Sequence, residues 1–434
     1  MKRTKSESPE PHEIQMFYPD IKRPKIIQEE KENKYRGLLD LSDDVVLHIF
    51  KFVSAVDLMS LYLCCTRFNR LCCDRTLWKS LDLSDTHLSA SDLDKYETFM
   101  QPATKLLFIR GNIGASELSE LHLNFLNIVA SKCPKLEDLI IEDYYINRHQ
   151  IQIQHFPRTL KKLSLEGCHI QNFSNDKSYL NNIHLHIPSL TCLVLSNCLW
   201  VTNHSLMAIS KIPNLKEVRM NSCHGLGEDI AYASIATKVG LKKLQILDVR
   251  DTFIGDSVVS SFSHISTLTE MYLECPSEET TLHVPEAQHQ NRHVLLVQLP
   301  RPQAINQENV PAIQIVQENN VELNHANDDR CHVTDRSICS LSYHGSENNQ
   351  EVVQHLEQVQ LLHGRVRSST NPYLKKLVIR NYQGVTDQTL QHFCNHGPSL
   401  LYLDVTGTSV TKEGLQNFKI QRPEVILISS FSEI

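Results

Sequence analysis

Between residues 38 and 78, apolar side chains fall at Val45, Ile49, Phe50 and Val53, then at Leu58, Leu61, Cys65, Phe68 and Leu71. Steps of three and four predict two successive short amphipathic helices. Ser42 and Asp57 stand where N-caps belong, and Asp43 and Asp44 put negative charge in a first helical turn. A stretch of about forty residues cannot bury that apolar surface on itself. Either the following domain covers it, as it would an ordinary helical cap, or a partner does.

After that stretch the pattern becomes a repeat. The template L-x-x-L-x-L recurs as Leu136/Leu139/Ile141, Leu160/Leu163/Leu165, Leu190/Leu193/Leu195, Leu215/Val218/Met220, Leu244/Leu247/Val249 and Leu268/Met271/Leu273. It returns as Leu374/Leu377/Ile379 and Leu400/Leu403/Val405, with weaker copies at Trp78/Leu81/Leu83, Thr104/Leu107/Ile109 and Pro423/Ile426/Ile428. Second positions are 23 to 32 residues apart, except for one step of 106 between Met271 and Leu377. That period predicts one short strand plus one helix per repeat, an α/β leucine-rich-repeat solenoid of about ten repeats. Strand alternation turns the template leucines inward and the x positions outward. Thr202, Thr386 and Thr411 precede the helical halves as caps, as in Val385-Thr386-Asp387-x-x-Leu390. Cys168, Cys198 and Cys223 each follow the last strand leucine by three residues, the position where small polar side chains stack beside the turn. Packing, rather than redox or metal chemistry, is expected of them.

The long step contains a polar insertion. Excising 276–330 joins Met271–Cys275 to Cys331-His332-Val333-Thr334-Asp335-x-x-Ile338 as one continuous repeat. The excised segment is rich in Gln, Asn, Glu and Pro and reads as flexible. The remaining 51 residues are long for one repeat, and Val352, Leu356, Val359 and Leu362 suggest an extra helix near 350–363. Residues 1–37 read as a disordered tail with basic clusters at Lys2-Arg3-Lys5 and Lys22-Arg23-Pro24-Lys25, a pattern found in nuclear-import signals and in solvated linkers. The domains are therefore a tail at 1–37, a helical unit at 38–80, repeats at 81–275, the insertion at 276–330 and C-terminal repeats at 331–434.

Composition narrows the function. A net charge of −7 gives no support to nucleic-acid binding. No apolar run approaches the ~18 residues of a membrane helix, and no secretory apolar core follows the N-terminus. With thirteen cysteines and no export signal, a reducing cytosol or nucleus is expected. No C-x-x-C pair occurs, and His392 and His396, four apart on a predicted helix, lack the glutamate of a zinc protease motif. No nucleophile elbow or phosphate loop is present, so no catalytic residue, metal or cofactor is expected.

Leu41-Ser42-Asp43, Ile49-Phe50, Asp57-Leu58, Cys65 to Phe68 and Leu77-Trp78 follow one another as in an F-box, and this segment resembles one without gaps. Ser42 stands where that motif usually has proline, so a side-chain cap is expected to replace the pre-set φ of the ring. An F-box followed by leucine-rich repeats resembles the F-box/LRR-repeat family across residues 38–434. Ser131–Leu136 and Thr159–Cys168 look closest to one member of it. The resemblance implies a non-catalytic substrate-recognition subunit of a Skp1–cullin–F-box ubiquitin ligase, joined through Skp1 to a cullin and a RING protein. It implies Skp1 contacts at Leu41, Ser42, Val45, Ile49, Phe50, Leu58, Leu61 and Trp78, although Trp78 serves equally well as a joint between modules. A protein substrate would lie on the outward strand positions, of which Arg219, Asp248, Arg250, Glu270, Tyr272, Arg380 and Tyr402 are the candidates. Two alternatives stay open: an interaction scaffold uncoupled from ubiquitin transfer, and a repeat protein whose N-terminal helices merely cap the solenoid.

Overall fold

The computed structural model describes residues 37–113, 119–172, 178–277, 332–342 and 371–431. A one-turn helix at Leu38–Asp40 leads into α1 (Asp43–Phe50), α2 (Ala55–Cys64) and α3 (Thr66–Cys72). Two helices were expected here, and there are three. Cys65 takes an extended conformation that ends α2, and its thiol accepts a hydrogen bond from the Phe68 N–H at 3.4 Å, capping α3. The start of α2 also differs from expectation. Ser54, not Asp57, is the N-cap; its hydroxyl accepts from the Asp57 N–H at 3.1 Å and donates to the Asp57 carboxylate at 2.8 Å. Asp57 serves as the acidic residue of the first turn.

Aromatic packing joins this helical head to the first repeats. Trp78 is fully buried and stacks on Phe99 with centroids 4.2 Å apart. Its indole N–H donates to the Cys72 carbonyl at the end of α3. Phe50 meets Phe68 edge-on at 5.4 Å, and Tyr62 meets Phe99 at the same distance.

The repeats form a parallel sheet. Its strands are β1 (Ser80–His87), β2 (Leu106–Arg110), β3 (Asp138–Glu142), β5 (Lys162–Ser164), β7 (Cys192–Val194), β8 (Glu217–Arg219), β9 (Ile246–Asp248), β10 (Glu270–Glu274), β11 (Lys376–Arg380), β12 (Tyr402–Asp404) and β13 (Ile426–Ile428), and they pair in that order. Strands β4 (Tyr145–Asn147) and β6 (His169–Gln171) make a separate parallel pair. Leu107, Leu139, Leu163, Leu193, Val218, Leu247, Met271, Leu377 and Leu403 lie side by side across the sheet and are all buried, so one core runs through these repeats. Asp143, Asn197, Ser222, Asp251 and Asn381 turn the chain out of its strands through the left-handed region, which short polar side chains tolerate best. The cysteines beside these turns are structural. The thiols of Cys168, Cys198 and Cys223 donate to the carbonyls of Ile141, Leu165 and Leu195 at 3.3, 3.0 and 2.9 Å. Burial pushes Cys168 and Cys223 up to about 12, which keeps both thiols protonated.

The long step resolves into a single repeat. β10 pairs directly with β11, Met271 opposite Leu377, so no repeat strand stands between them. The helix Asp335–Ser340 supplies the second half of that repeat. The whole step from Met271 to Leu377 is therefore one repeat, with this helix between its two strands in the chain. The expected helix near 350–363, the tail before Gly37 and the insertion from residue 278 lie outside the described residues. At the C-terminus the register differs from the template by one residue. Leu427, not Ile426, stands opposite Leu403, and Ile426 and Ile428 face outward. A one-residue shift exchanges the two faces of a strand, so the last template copy had inside and outside reversed.

The repeats on either side of the long step are fastened by one recurring device. The Asp256 carboxylate accepts from the N–H and hydroxyl of Thr334 at 2.7 and 2.6 Å. Asp335 accepts in the same way from Thr386, at 2.8 and 2.6 Å, and also from the N–H and hydroxyl of Thr389. Asp387 accepts from Thr411, at 2.8 and 2.6 Å. Each threonine caps its own helix, so the carboxylate of one repeat sits against the N-terminus of the next. Asp335→Ala strands four donors at once and is expected to cost about 2–3 kcal/mol, read as a lowered midpoint in urea unfolding. An unchanged midpoint would show that water replaces the carboxylate without loss.

Candidate functional site

The outer side of the helical head is apolar and uncovered. Val45 and Ile49 share one side of α1, and Phe52, three residues further and 81% exposed, continues it. Leu38 and Leu39 on the preceding turn and Leu63 on α2 are exposed as well. One guanidinium fixes how these side chains are displayed. Arg67 of α3 donates to the carbonyls of Leu39 and Leu41 and, through Nε at 2.9 Å, to the Asp43 carboxylate. Arg70 adds a second ion pair to Asp43 at 2.6 Å. The hydrogen bond from Arg67 holds the Asp43 carboxyl below the usual carboxylate range. Its charge therefore persists as pH falls past 3.8, and the ion pairs to Arg67 and Arg70 are lost on passing the lowered value. Ser42 is exposed and makes no side-chain cap; its carbonyl accepts the Val46 N–H at 3.0 Å. The expected serine cap is absent because Arg67 already fixes the chain on both sides of it.

The second surface is the open face of the sheet, where outward side chains form rows across β8 to β12. Arg250 donates to both oxygens of Asp248, at 2.9 and 2.7 Å, and Arg380 donates to Asp404 through two nitrogens at 2.9 and 2.7 Å. Arg219 pairs with Glu217 at 2.5 Å. The Tyr272 hydroxyl donates to Glu270 at 2.6 Å, and burial together with that carboxylate pushes the phenol well above its ordinary value. Arg250 lies 5.4 Å and Lys376 5.1 Å from the centre of the Tyr272 ring, while Lys376 is 4.7 Å from that of Tyr402. The result is a belt of aromatic rings and cations, pre-positioned by neighbours on the same or adjacent strands. Among the described residues no group of three or more metal-ligating side chains is found, and no helix is long and apolar enough to cross a membrane.

Residues 39–84 match the F-box-like family. The helical head is an F-box-like domain. The chain is 24% identical to F-box/LRR-repeat protein 12 of Mus musculus over 228 residues, 52% of this chain and 68% of that protein. Its similarity to the Homo sapiens protein of the same name is equal in identity and extent. Among solved structures, a chain in the crystal structure of the Rad7 and Elc1 complex in yeast aligns over 89% of this chain and 92% of its own length. It is 16% identical, and its TM-score of 0.36 is too low to carry an argument about fold or partner.

Within the F-box-like domain, the expected contact residues separate into two groups. Val45, Ile49 and Ser42 are exposed, and Leu41 and Leu61 are half-buried at the rim of the core. Phe50, Leu58 and Trp78 are buried and build the domain and its joint to β1, so they are not surface anchors. On the sheet, Arg219, Arg250, Glu270, Tyr272, Arg380 and Tyr402 are partly exposed. Asp248 has no exposure; expected as a contact, it lies beneath Arg250 as its support. Leu38, Leu39, Phe52 and Leu63 join the surface without having been expected there. The signal for Phe52 is its spacing from Val45 and Ile49. Val53 competes with it in the sequence, at a step of four from Ile49, but it is partly buried against the core while Phe52 is exposed. Arg67→Ala is expected to speed amide exchange at Leu38–Leu41 in hydrogen–deuterium exchange while leaving the repeat strands protected. Unchanged exchange there would mean that the turn holds without the clamp.

Proposed function

We propose that this chain is a substrate-recognition adaptor of a Skp1–cullin–F-box ubiquitin ligase. In this reading the F-box-like domain binds Skp1 and the open face of the repeats binds a protein destined for ubiquitylation. One observation carries the reading. The apolar strip of Leu38, Leu39, Val45, Ile49 and Phe52 stands outside a core that is already complete without it. Exposed apolar side chains gathered on one domain support its reading as an interaction site.

The adaptor's contribution is positional. Transfer of ubiquitin belongs to a conjugating enzyme brought by the cullin and RING subunits. Holding the substrate on the same particle raises the effective concentration of its lysines near that thioester. The belt from Arg219 to Tyr402 suits substrate binding because its cations and rings are already ordered, which lowers the entropy lost on association.

Leu41→Ala combined with Ile49→Ala removes two anchors worth about 1.5–3 kcal/mol each. The pair is expected to abolish Skp1 co-purification while the thermal unfolding of the repeats stays unchanged. Undiminished Skp1 binding would sink the reading. Phe50→Ala, by contrast, should destabilise the domain itself by about 3–5 kcal/mol. A scaffold uncoupled from ubiquitin would bind Skp1 equally well, so substrate ubiquitylation in a reconstituted complex separates the two.

A further inference from the structure

The open face has two unlike halves. On β8 to β12 each outward arginine is matched by a carboxylate. On β1 to β5 the floor is apolar: Phe108 and Ile140 are direct neighbours in register, and Leu106 stands two residues from Phe108 on the same strand. All three are partly exposed. Around them stand Asp82, Asp138, Glu142 and Glu166, against two outward cations, Arg110 and Lys162. Arg110 lies 3.2 Å from Glu142 and is shared with Asp143 at 3.4 Å. The Glu142 carboxyl is pushed up by burial, against the pull of Arg110, with Glu166, Asp143 and Asp82 adding to the rise. This half of the face thus combines an apolar floor with an acidic rim that Arg110 and Lys162 offset only in part. A segment that satisfies both must carry cations next to apolar side chains.

Such a segment lies in the chain itself, in Lys22-Arg23-Pro24-Lys25-Ile26-Ile27. Ile27 precedes Gly37 by ten residues, enough for a reach of up to about 35 Å when extended. Gly37 opens the F-box-like domain, and that domain packs on the β1 end of the sheet through Trp78 and Phe99. The distance from β1 to β5 is three strand spacings, about 15 Å. The acidic half is therefore the part of the face nearest the point where the tail begins.

We propose that Lys22–Ile27 of the N-terminal tail docks on the β1–β5 half of the open face, its cations facing Glu142 and Glu166 and its isoleucines resting on Phe108 and Ile140. A segment tethered by a short linker acts at an effective concentration of the order of mM, so even a weak contact fills the site much of the time.

The test replaces Ile26 in the full-length chain with the photo-crosslinker benzoylphenylalanine and maps the products by mass spectrometry. Crosslinks within one chain to residues 106–110, 138–142 and 162–166 are expected. Glu142→Lys with Glu166→Lys should cut their yield roughly fivefold or more. Reversing the tail instead, with Lys22→Glu, Arg23→Glu and Lys25→Glu, should do the same without touching the repeats, so loss of signal cannot be laid to misfolding. Combining the two sets should restore the crosslink. Crosslinks elsewhere, crosslinks formed between chains, or a yield indifferent to both reversals would overturn the proposal. Skp1 co-purification of each variant is read in parallel and should not change, so a failure of docking stays distinct from a failure of the adaptor reading.

Discussion

Each strand of this sheet can hide its template leucine because the next strand hides its own beside it. A single repeat has too little surface to bury such a side chain, and only the stack closes the core. That constraint fixes the parallel register from Leu81 to Leu427, forces a turn after every strand and brings the capping threonines of successive helices into line. It also explains how β10 and β11 stay paired although residues 275–375 lie between them in the chain. β10 and β11 gain more from pairing than the chain between them loses, because loop-closure cost grows slowly with length. The Asp256–Thr334 and Asp335–Thr386 contacts secure the helix that lies between those two strands in the chain.

A stack that closes its own core leaves little reason for uncovered apolar surface at its end. The F-box-like domain is tied to β1 by Trp78 and Phe99, yet Leu39, Ile49 and Phe52 contribute nothing to that joint. Arg67 holds their carrier segments from behind with hydrogen bonds to Leu39, Leu41 and Asp43. An apolar, exposed surface whose carrier segments are held by partly buried polar contacts suits the docking of another molecule. The same separation of duties appears on the sheet, where Asp248 and Asp404 sit unexposed beneath the arginines that they position.

Local periodicity was legible in the sequence wherever one residue's neighbours along the chain decide its fate. The template leucines, the caps at Thr386 and Thr411, the stacked cysteines and the family resemblance all fall in this group, whereas Thr202, expected as a cap on the same pattern, makes no side-chain cap. Features decided across space were not. The break at Cys65 depends on a thiol capping the Phe68 N–H, which composition does not announce. Phe50, Leu58 and Trp78 look like surface anchors in a helical pattern, but the packing of three helices against β1 turns them inward. Asp248 occupies an outward strand position and is buried because Arg250 folds back over it. At β13 the template offers apolar residues at 426, 427 and 428, and only pairing with β12 selects Leu427 as the inward one.

We propose that the outer strip of the F-box-like domain docks Skp1 while the repeats stay free for another partner. Hydrogen–deuterium exchange of the full chain, alone and with Skp1 bound, tests it most directly. The account predicts new protection confined to residues 38–63, with β2 to β12 exchanging as before. Protection spread over the repeat strands, or none in residues 38–63, would contradict it.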